Sequence, residues 1–540
     1  MHLPPRFRSA LGFDFLFGVA LLMIGVVAGC GRPSDRGDVL VAALTTDASH
    51  LNPAITTAGG VHTVAALVFD GLVSLDEDEQ PVPGLATRWS VEEGGARYRF
   101  TLRQGVRWHD GHSFTSADVK FTFDSLLLRF HARTRASLGD ALAGIDAPDD
   151  STVIFRFRAP YAVLLQQLDV VEAPILPLHL FANSDPNTNQ ATQRPVGTGP
   201  YRFVSHTPDA EVRFEANADY FLGKPAIAQV IMRVIPDGAV QVVALETGAV
   251  DWLFGVPGPD RARLAADTGV RLVQTTVNPG GSNCVNTLVF NLDRPVSGDV
   301  RVRRAFAHAI DREQLVERVE FGGGRAGIFP ISSRIAVARN PTLEFPPHDT
   351  LAASRQLDAA GWRMGRDGFR HARGVRGVAD GTPLRVSFTH MPPLRPYGEL
   401  LRAQLRVVGI DFALQPLEPA TFADAVFKER NFDTAIVSYC NGTDPEIGVR
   451  RMYVSSNIAP VPFSNGAAYR NPVMDSLFDA ARATLDFEAR RAAYAAIARL
   501  ALRDLPYLSL IETAATRAYR TRCSGFRLGA HFAATARCGS

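Results

Sequence analysis

The 540-residue chain has no sustained run of lysine and arginine, and its formal charge at pH 7 is only +2. A near-neutral balance gives no general attraction to phosphate backbones, so nucleic acid is not an expected partner. Long apolar stretches are also missing. Phe15 to Val27 covers about 13 residues, whereas a membrane-spanning helix needs about 20. Cysteine is scarce, with five residues in all, and no Cys-x-x-Cys or Cys/His cluster supplies a structural zinc site. Gly-x-Ser-x-Gly is absent, because Gly280-Gly281-Ser282-Asn283-Cys284 lacks the closing glycine. There is no internal repeat and no low-complexity tract. What remains, with 46% apolar residues, is a large globular protein of more than one lobe.

The most informative stretch runs from Pro81 to Leu126. Tyr98, Phe100 and Leu102 alternate with Arg97, Arg99, Thr101 and Arg103, the period of a strand with one buried face. Gln104-Gly105 supplies a turn, Val106 and Trp108 resume the alternation, and Asp110-Gly111 supplies a second turn. Thr115 then caps a helix, Asp118 reaches back in a capping box, and Val119, Phe123 and Leu126 form the buried stripe. The Leu-Ala-x-x-Trp entry (Leu85, Ala86, Trp89), Phe100-x-Leu102-Arg103-x-Gly105, His109-Asp110-Gly111 and Thr115-x-x-Asp118-Val119 occur in one order. Together they resemble the family 5 solute-binding proteins of ABC importers, the peptide- and nickel-binding type.

Arg6 and Arg8 before the short apolar core read as an export signal. The core ends in Val27-Ala28-Gly29-Cys30, which resembles the bacterial lipobox, so residues 1–30 are expected to be a lipoprotein signal ending at a lipidated Cys30. The mature protein is then tethered in the periplasm or at the cell surface. Four cysteines remain in an oxidising compartment, enough for two disulfides, and sequence alone leaves the pairing open. The preferred pair is Cys523–Cys538, which closes a short loop, leaving Cys284–Cys440 as a long-range bridge.

The resemblance implies an α/β, periplasmic-binding-protein type II-like two-lobe fold with an extra small α+β domain. Lobe I would comprise residues 31–75, 195–284 and 508–540, with Gly197-Thr198-Gly199-Pro200-Tyr201 and Asn217-x-x-Tyr220-x-x-Gly223-Lys224-Pro225 as its markers. The extra domain would be 76–194 and lobe III 285–507. Within lobe III, Asp311 with Gln314 forms a capping-box pattern, and one long helix is expected from Pro472 to Arg503 with Asn471 as its cap.

Ligand contacts are expected in two loops. In Met391-Pro392-Pro393-Leu394-Arg395-Pro396-Tyr397, Pro396 biases Arg395 toward an extended backbone that offers its planar guanidinium to a carboxylate. The segment resembles the Met-Pro-x-x-Arg-Pro-Tyr loop of the dipeptide-binding branch, whose arginine holds the peptide carboxylate. Tyr397 accompanies it. The second loop, Ser438-Tyr439-Cys440-Asn441-Gly442-Thr443-Asp444-Pro445, resembles the one where that branch places an aspartate for the ligand ammonium. Here the position holds Asn441, which accepts a hydrogen bond but does not neutralise a buried cation. Asp444 and Tyr439 complete the candidates, and an Asp-Pro turn is the plain reading of Asp444.

Enzyme signatures are poor. His109-x-x-His112 sits in a hairpin turn without a third ligand nearby, and Gly322-x-Gly324-x-x-Gly327 follows a helix where a dinucleotide motif needs a strand. No cofactor, metal or catalytic residue is therefore expected. The expected function is that of a monomeric, lipid-anchored binding protein that captures a di- or oligopeptide or a peptide-like solute and delivers it to an ABC permease. A non-peptide carboxylate ligand (an opine, a glutathione-like thiol peptide or a metal chelate) is the alternative raised by Asn441. A metal-dependent lipoprotein hydrolase rests only on the His109/His112 pair, and an adhesin or sensor could use the same fold.

Overall fold

The computed structural model describes residues 38–48, 50–56, 58–275 and 283–539, so the export segment and Cys30 lie outside the described residues. Among the described residues no helix is long and apolar enough to cross a membrane.

Two sheets organise the chain. The first has seven strands in the order Val270–Thr275, Ala515–Arg520, Trp252–Leu253, Val39–Leu44, Gln229–Val234, Glu211–Ala216 and Tyr201–Thr207. Val39–Leu44 lies parallel to both of its neighbours and is buried on both faces, as parallel strands are. Leu40, Ala42 and Leu44 join the largest core, while Val41 and Ala43 face a smaller one with Val242, Leu245 and Leu264. The Gly197-Thr198-Gly199 marker passes so close to this core that a Cβ on Gly199 would meet Val68 O at 2.6 Å. Gly199 N–H donates to that same carbonyl at 2.8 Å, which explains why only glycine fits.

The second sheet has six strands, ordered Gly324–Ala326, Tyr507–Thr513, Cys284–Phe290, Thr434–Cys440, Arg385–His390 and Asp411–Pro416. Cys284–Phe290 sits in the middle, with Leu288 and Phe290 in one core and Val289 in another. Tyr507–Thr513 corrects one expected boundary. It belongs to this sheet and not to lobe I, and the return to the seven-stranded sheet comes at Ala515. Its residues Tyr507 to Glu512 are all buried, the mark of a strand covered on both faces rather than of an edge leading outward. Cys284 likewise opens a strand of the six-stranded sheet.

A smaller four-stranded antiparallel sheet, ordered Ala86–Glu92, Arg97–Leu102, Thr152–Phe157 and Leu142–Asp149, forms the additional unit. Its strand Arg97–Leu102 buries Tyr98, Phe100 and Leu102, and the Thr115/Asp118 capping box is present in both directions. The box at Asp311 is only half formed. Asp311 accepts from Gln314 N at 3.1 Å, but its own N–H goes to Gln404 Oε1 at 3.2 Å. The single helix expected from Pro472 to Arg503 is two helices, Pro472–Ala483 and Phe487–Asp504. Thr484 is extended and Asp486 caps the second helix through Ala489 N at 2.8 Å, so a side-chain cap replaces three residues of helix.

Candidate functional site

A cavity of about 410 Å³ lies between the two halves. From the seven-stranded side come the Ser74–Glu79 hairpin turn, Gln166–Glu172, Gln274–Thr275 and Arg527–His531, and from the six-stranded side come Arg334 and Gly442–Thr443. The volume falls near the lower end of the usual ligand range of about 300–1,000 Å³. A small solute fits wholly inside it.

The disulfide Cys284–Cys440 lies just before the cavity-lining Gly442–Thr443. The two cysteines are directly opposed across neighbouring strands, and the bridge holds the start of one strand against the end of the other immediately before Asn441–Thr443. The structure also pairs Cys523 with Cys538, across the two short strands of the C-terminal loop. Asn283 crosses the gap between halves, with its amide donating to Glu79 at 3.1 Å and to Gly442 O at 2.8 Å.

Charge is divided within the cavity. Burial, reinforced by the neighbouring Glu172, pushes the Asp169 carboxyl up to about 7. Glu172 is itself paired with the buried Arg133 at 3.1 Å. Burial also raises Glu79, against the lowering effects of Asn283 and Arg334. Arg334 and Arg527 are exposed to the cavity and make no ion pair among the described residues. Gln166 Oε1 and Thr443 Oγ1 are buried without a hydrogen-bond partner, and both residues line the cavity. The arrangement offers a carboxyl that a cation would ionise, two unpaired guanidinium groups, and two polar atoms awaiting a partner.

The sequence-predicted contacts are placed differently. Arg395 does not line this cavity. It is the first residue of the helix Arg395–Val407, with φ −54° and ψ −41°, and its side chain is 70% exposed and pairs with Glu399 at 3.3 Å. The expected extended backbone is therefore corrected to helical. Pro396 occupies the first turn, where its missing N–H costs nothing, and that outweighs the pre-proline preference. Tyr397 is buried, donating to Glu320 Oε1 at 2.5 Å and accepting from Asn286 Nδ2 at 2.7 Å. Tyr439 and Asn441 are fully buried, and the Asn441 amide donates to Pro330 O at 2.6 Å. Asp444 caps the short helix Pro445–Gly448 and pairs with the buried Arg490 at 2.8 Å. Asn441 and Asp444 thus flank the cavity-lining Gly442–Thr443 without lining it.

Sequence reasoning missed Glu79, Asp169, Arg334 and Arg527. The acidic run Asp76–Glu79 was visible but has the composition of a solvated turn. His109 is not a partner for His112. Its ring lies against Gly199 O at 3.0 Å and Gly197 N at 3.3 Å, so it faces inward away from His112. The potential ligands near His112 come instead from Asp110 and His179, which corrects the expectation that no third ligand is close.

Residues 80–460 match the family described as bacterial extracellular solute-binding proteins, family 5 middle region. The chain belongs to that family. A putative ABC transporter peptide-binding protein of Brucella ovis is 26% identical over 472 residues, which is 85% of this chain and 84% of that one. Among solved structures, NikZ from Campylobacter jejuni in complex with Ni(L-His) superposes with a TM-score of 0.79 at 24% identity, covering 91% of this chain and 95% of that one. A dipeptide-binding protein from Pseudoalteromonas sp. SM9913 in complex with Met-Leu gives 0.78 at 25% identity, covering 93% and 100%. The two-lobe α/β fold of type II periplasmic binding proteins is accordingly the fold of this family 5 protein. Its class of activity is solute binding.

Proposed function

We propose that this protein is the exported, lipid-anchored binding component of an ABC importer, and that its solute is a small zwitterion of the dipeptide class. The observation that carries the ligand class is the division of charge in the cavity, with Asp169 facing a space that Arg334 and Arg527 share. An α-ammonium against Asp169 and a carboxylate against an arginine satisfy both ends at once. The Brucella peptide-binding relative and the Met-Leu complex are consistent with a peptide, and the Ni(L-His) complex supports the reading of a chelate or other carboxylate as the alternative. Micromolar affinity requires only about 8 kcal/mol net. Closure of the two halves around the solute then presents the bound form to the permease.

Calorimetry and thermal melting with residues 31–540 and defined dipeptide pools test the ligand class. A pool that produces neither heat nor a melting shift would remove dipeptides and leave opines, thiol peptides and chelates. The arginine that takes the carboxylate is read from three variants. Arg334→Ala or Arg527→Ala is expected to weaken binding by about tenfold or more, as loss of a charge-assisted pair does. The resemblance of Met391–Tyr397 to the dipeptide-branch loop favours Arg395 as the rival, and an effect confined to Arg395→Ala would move the site there.

Anchoring is tested by labelling with a radioactive fatty acid in the host. Incorporation that disappears in Cys30→Ala is expected, and incorporation that survives it would refute lipidation at that residue.

A further inference from the structure

We propose that Asp110, His112 and His179 form a site for one divalent transition-metal ion on the surface of the four-stranded unit, separate from the interlobe cavity. Their donor atoms lie within 4.8 Å of one another, and none of the three lines the cavity. His112 Nδ1 is 3.2 Å from Asp110 Oδ1, and His179 Nε2 is 2.7 Å from Asp110 Oδ2. The two imidazoles are stacked with centroids 4.1 Å apart and planes 24° from parallel, and each presents a nitrogen to the same carboxylate. Metal–nitrogen and metal–oxygen bonds of about 2.0–2.2 Å in a tetrahedral site place neighbouring donors roughly 3.4 Å apart. Both observed separations are shorter than that figure, so binding an ion requires the carboxylate to draw back from the two rings and the stacked imidazoles to turn until their nitrogen lone pairs converge.

The donors are held by the backbone around them. The turn carrying Asp110 and His112 is closed by Trp108 N–H to His112 O at 2.8 Å and by Gly111 N–H to Trp108 O at 2.8 Å. Gly111 has φ +93°, a conformation that favours glycine. Asp110 Oδ1 accepts from His112 N at 3.2 Å, which fixes the carboxylate. His179 sits at the start of the segment Leu178–Phe181, whose Leu178 N–H donates to Asp118 Oδ1 at 2.9 Å, and its ring packs edge-on to Trp108. Asp118 is the capping-box residue of the helix after the hairpin, so both parts of the site hang from one rigid corner. Preorganisation of this kind is what distinguishes a ligand set from histidines that happen to be near each other.

Two imidazoles and one carboxylate suit zinc, copper(II) or nickel rather than the oxygen-seeking magnesium or calcium. His112 is 63% exposed, which leaves an entry path and an open coordination position for water. A bound ion would tie the hairpin turn to a segment 69 residues later in the chain.

The test is calorimetric titration of residues 31–540 with ZnCl₂, NiCl₂ and CuCl₂ at pH 7.5, alongside His112→Ala, His179→Ala and Asp169→Asn. One equivalent of metal is expected, with affinity reduced at least tenfold in each histidine variant and unchanged in Asp169→Asn. Copper(II) electron paramagnetic resonance should report two nitrogen ligands in the wild type and one in His112→Ala. Because His112 is largely solvated, its variant is expected to melt like the wild type in the presence of EDTA. Absence of stoichiometric binding, or binding unaltered by both histidine variants, or loss of binding in Asp169→Asn, would each overturn the proposal.

Discussion

Asp169→Asn is expected to weaken binding of the zwitterionic solute by about 2–4 kcal/mol, roughly 30- to 1,000-fold. Glu172 is committed to Arg133, and Glu79 holds the amide of Asn283. Asp169 accepts the backbone N–H of Glu172 at 3.0 Å, and no side-chain donor reaches it among the described residues. Asp76 and Glu77 also line the cavity but are exposed to solvent, so Asp169 is the less exposed cavity acid with capacity for a ligand cation. Asparagine keeps its shape and the backbone hydrogen bond, so the variant removes charge alone.

The pH profile separates this role from a structural one. In the free protein burial, with Glu172, holds Asp169 at about 7, while a cationic ligand requires the ionised carboxylate. Binding below about pH 7 must then expel a proton, and affinity falls by about tenfold for each further unit of acidity. Above about pH 8 the ligand α-amine itself begins to lose its charge. The wild type is expected to bind best between these limits, and Asp169→Asn to lose the acidic limb only. Calorimetry across pH 5.5 to 8.5 checks both, and a wild-type-like Kd in the variant would sink the assignment.

What was legible in the sequence was what local chemistry decides. Alternation at Tyr98, Phe100 and Leu102, the Thr115/Asp118 cap and the Asn471 cap before Pro472 all follow from residues within a few positions of one another. The break at Thr484–Asp486 was missed because the apolar spacing continues across it, and only the capping capacity of Asp486 marks it. The cavity was missed for a different reason. Its acids and arginines come from the separate stretches 74–79, 166–172, 334 and 527, and no short-range pattern announces that they converge. His179 meets His112 for the same tertiary reason. The Arg395 loop shows the opposite error, where a true local preference was overruled by the helix that begins on it.

Arg490→Met is expected to be among the most destabilising single changes in the chain, at about 3–5 kcal/mol. Arg490 is buried in the helix Phe487–Asp504 and donates to Asp444 Oδ2 at 2.8 Å and to Ala481 O at 3.0 Å. Removing the guanidinium leaves Asp444 as a buried carboxylate with Glu446 close behind it. Arg490→Met combined with Asp444→Asn should recover much of the loss, because asparagine still caps the Pro445 helix through Glu446 N–H while carrying no charge. Denaturant unfolding of the single and double variants measures this, and equal destabilisation by the two would contradict the buried-charge explanation.

Glu446 gives the same cluster a pH signature. It is 2% exposed, and burial pushes its carboxyl up to about 8. Arg450 at 3.4 Å and Arg482 at 3.9 Å draw it down but donate no hydrogen bond, so burial prevails. Between its ordinary value of 4.5 and about 8 the folded chain keeps a proton that the unfolded chain releases, and stability falls as pH rises through that interval. Buried His62 and His109, held down at about 4, act in the opposite sense up to their ordinary 6.5. Above about 6.5 the acids act alone, and the unfolding midpoint should decline toward pH 8. Glu446→Gln should flatten that decline, leaving the smaller contribution of Asp169, and an unaltered slope would place the buried proton elsewhere.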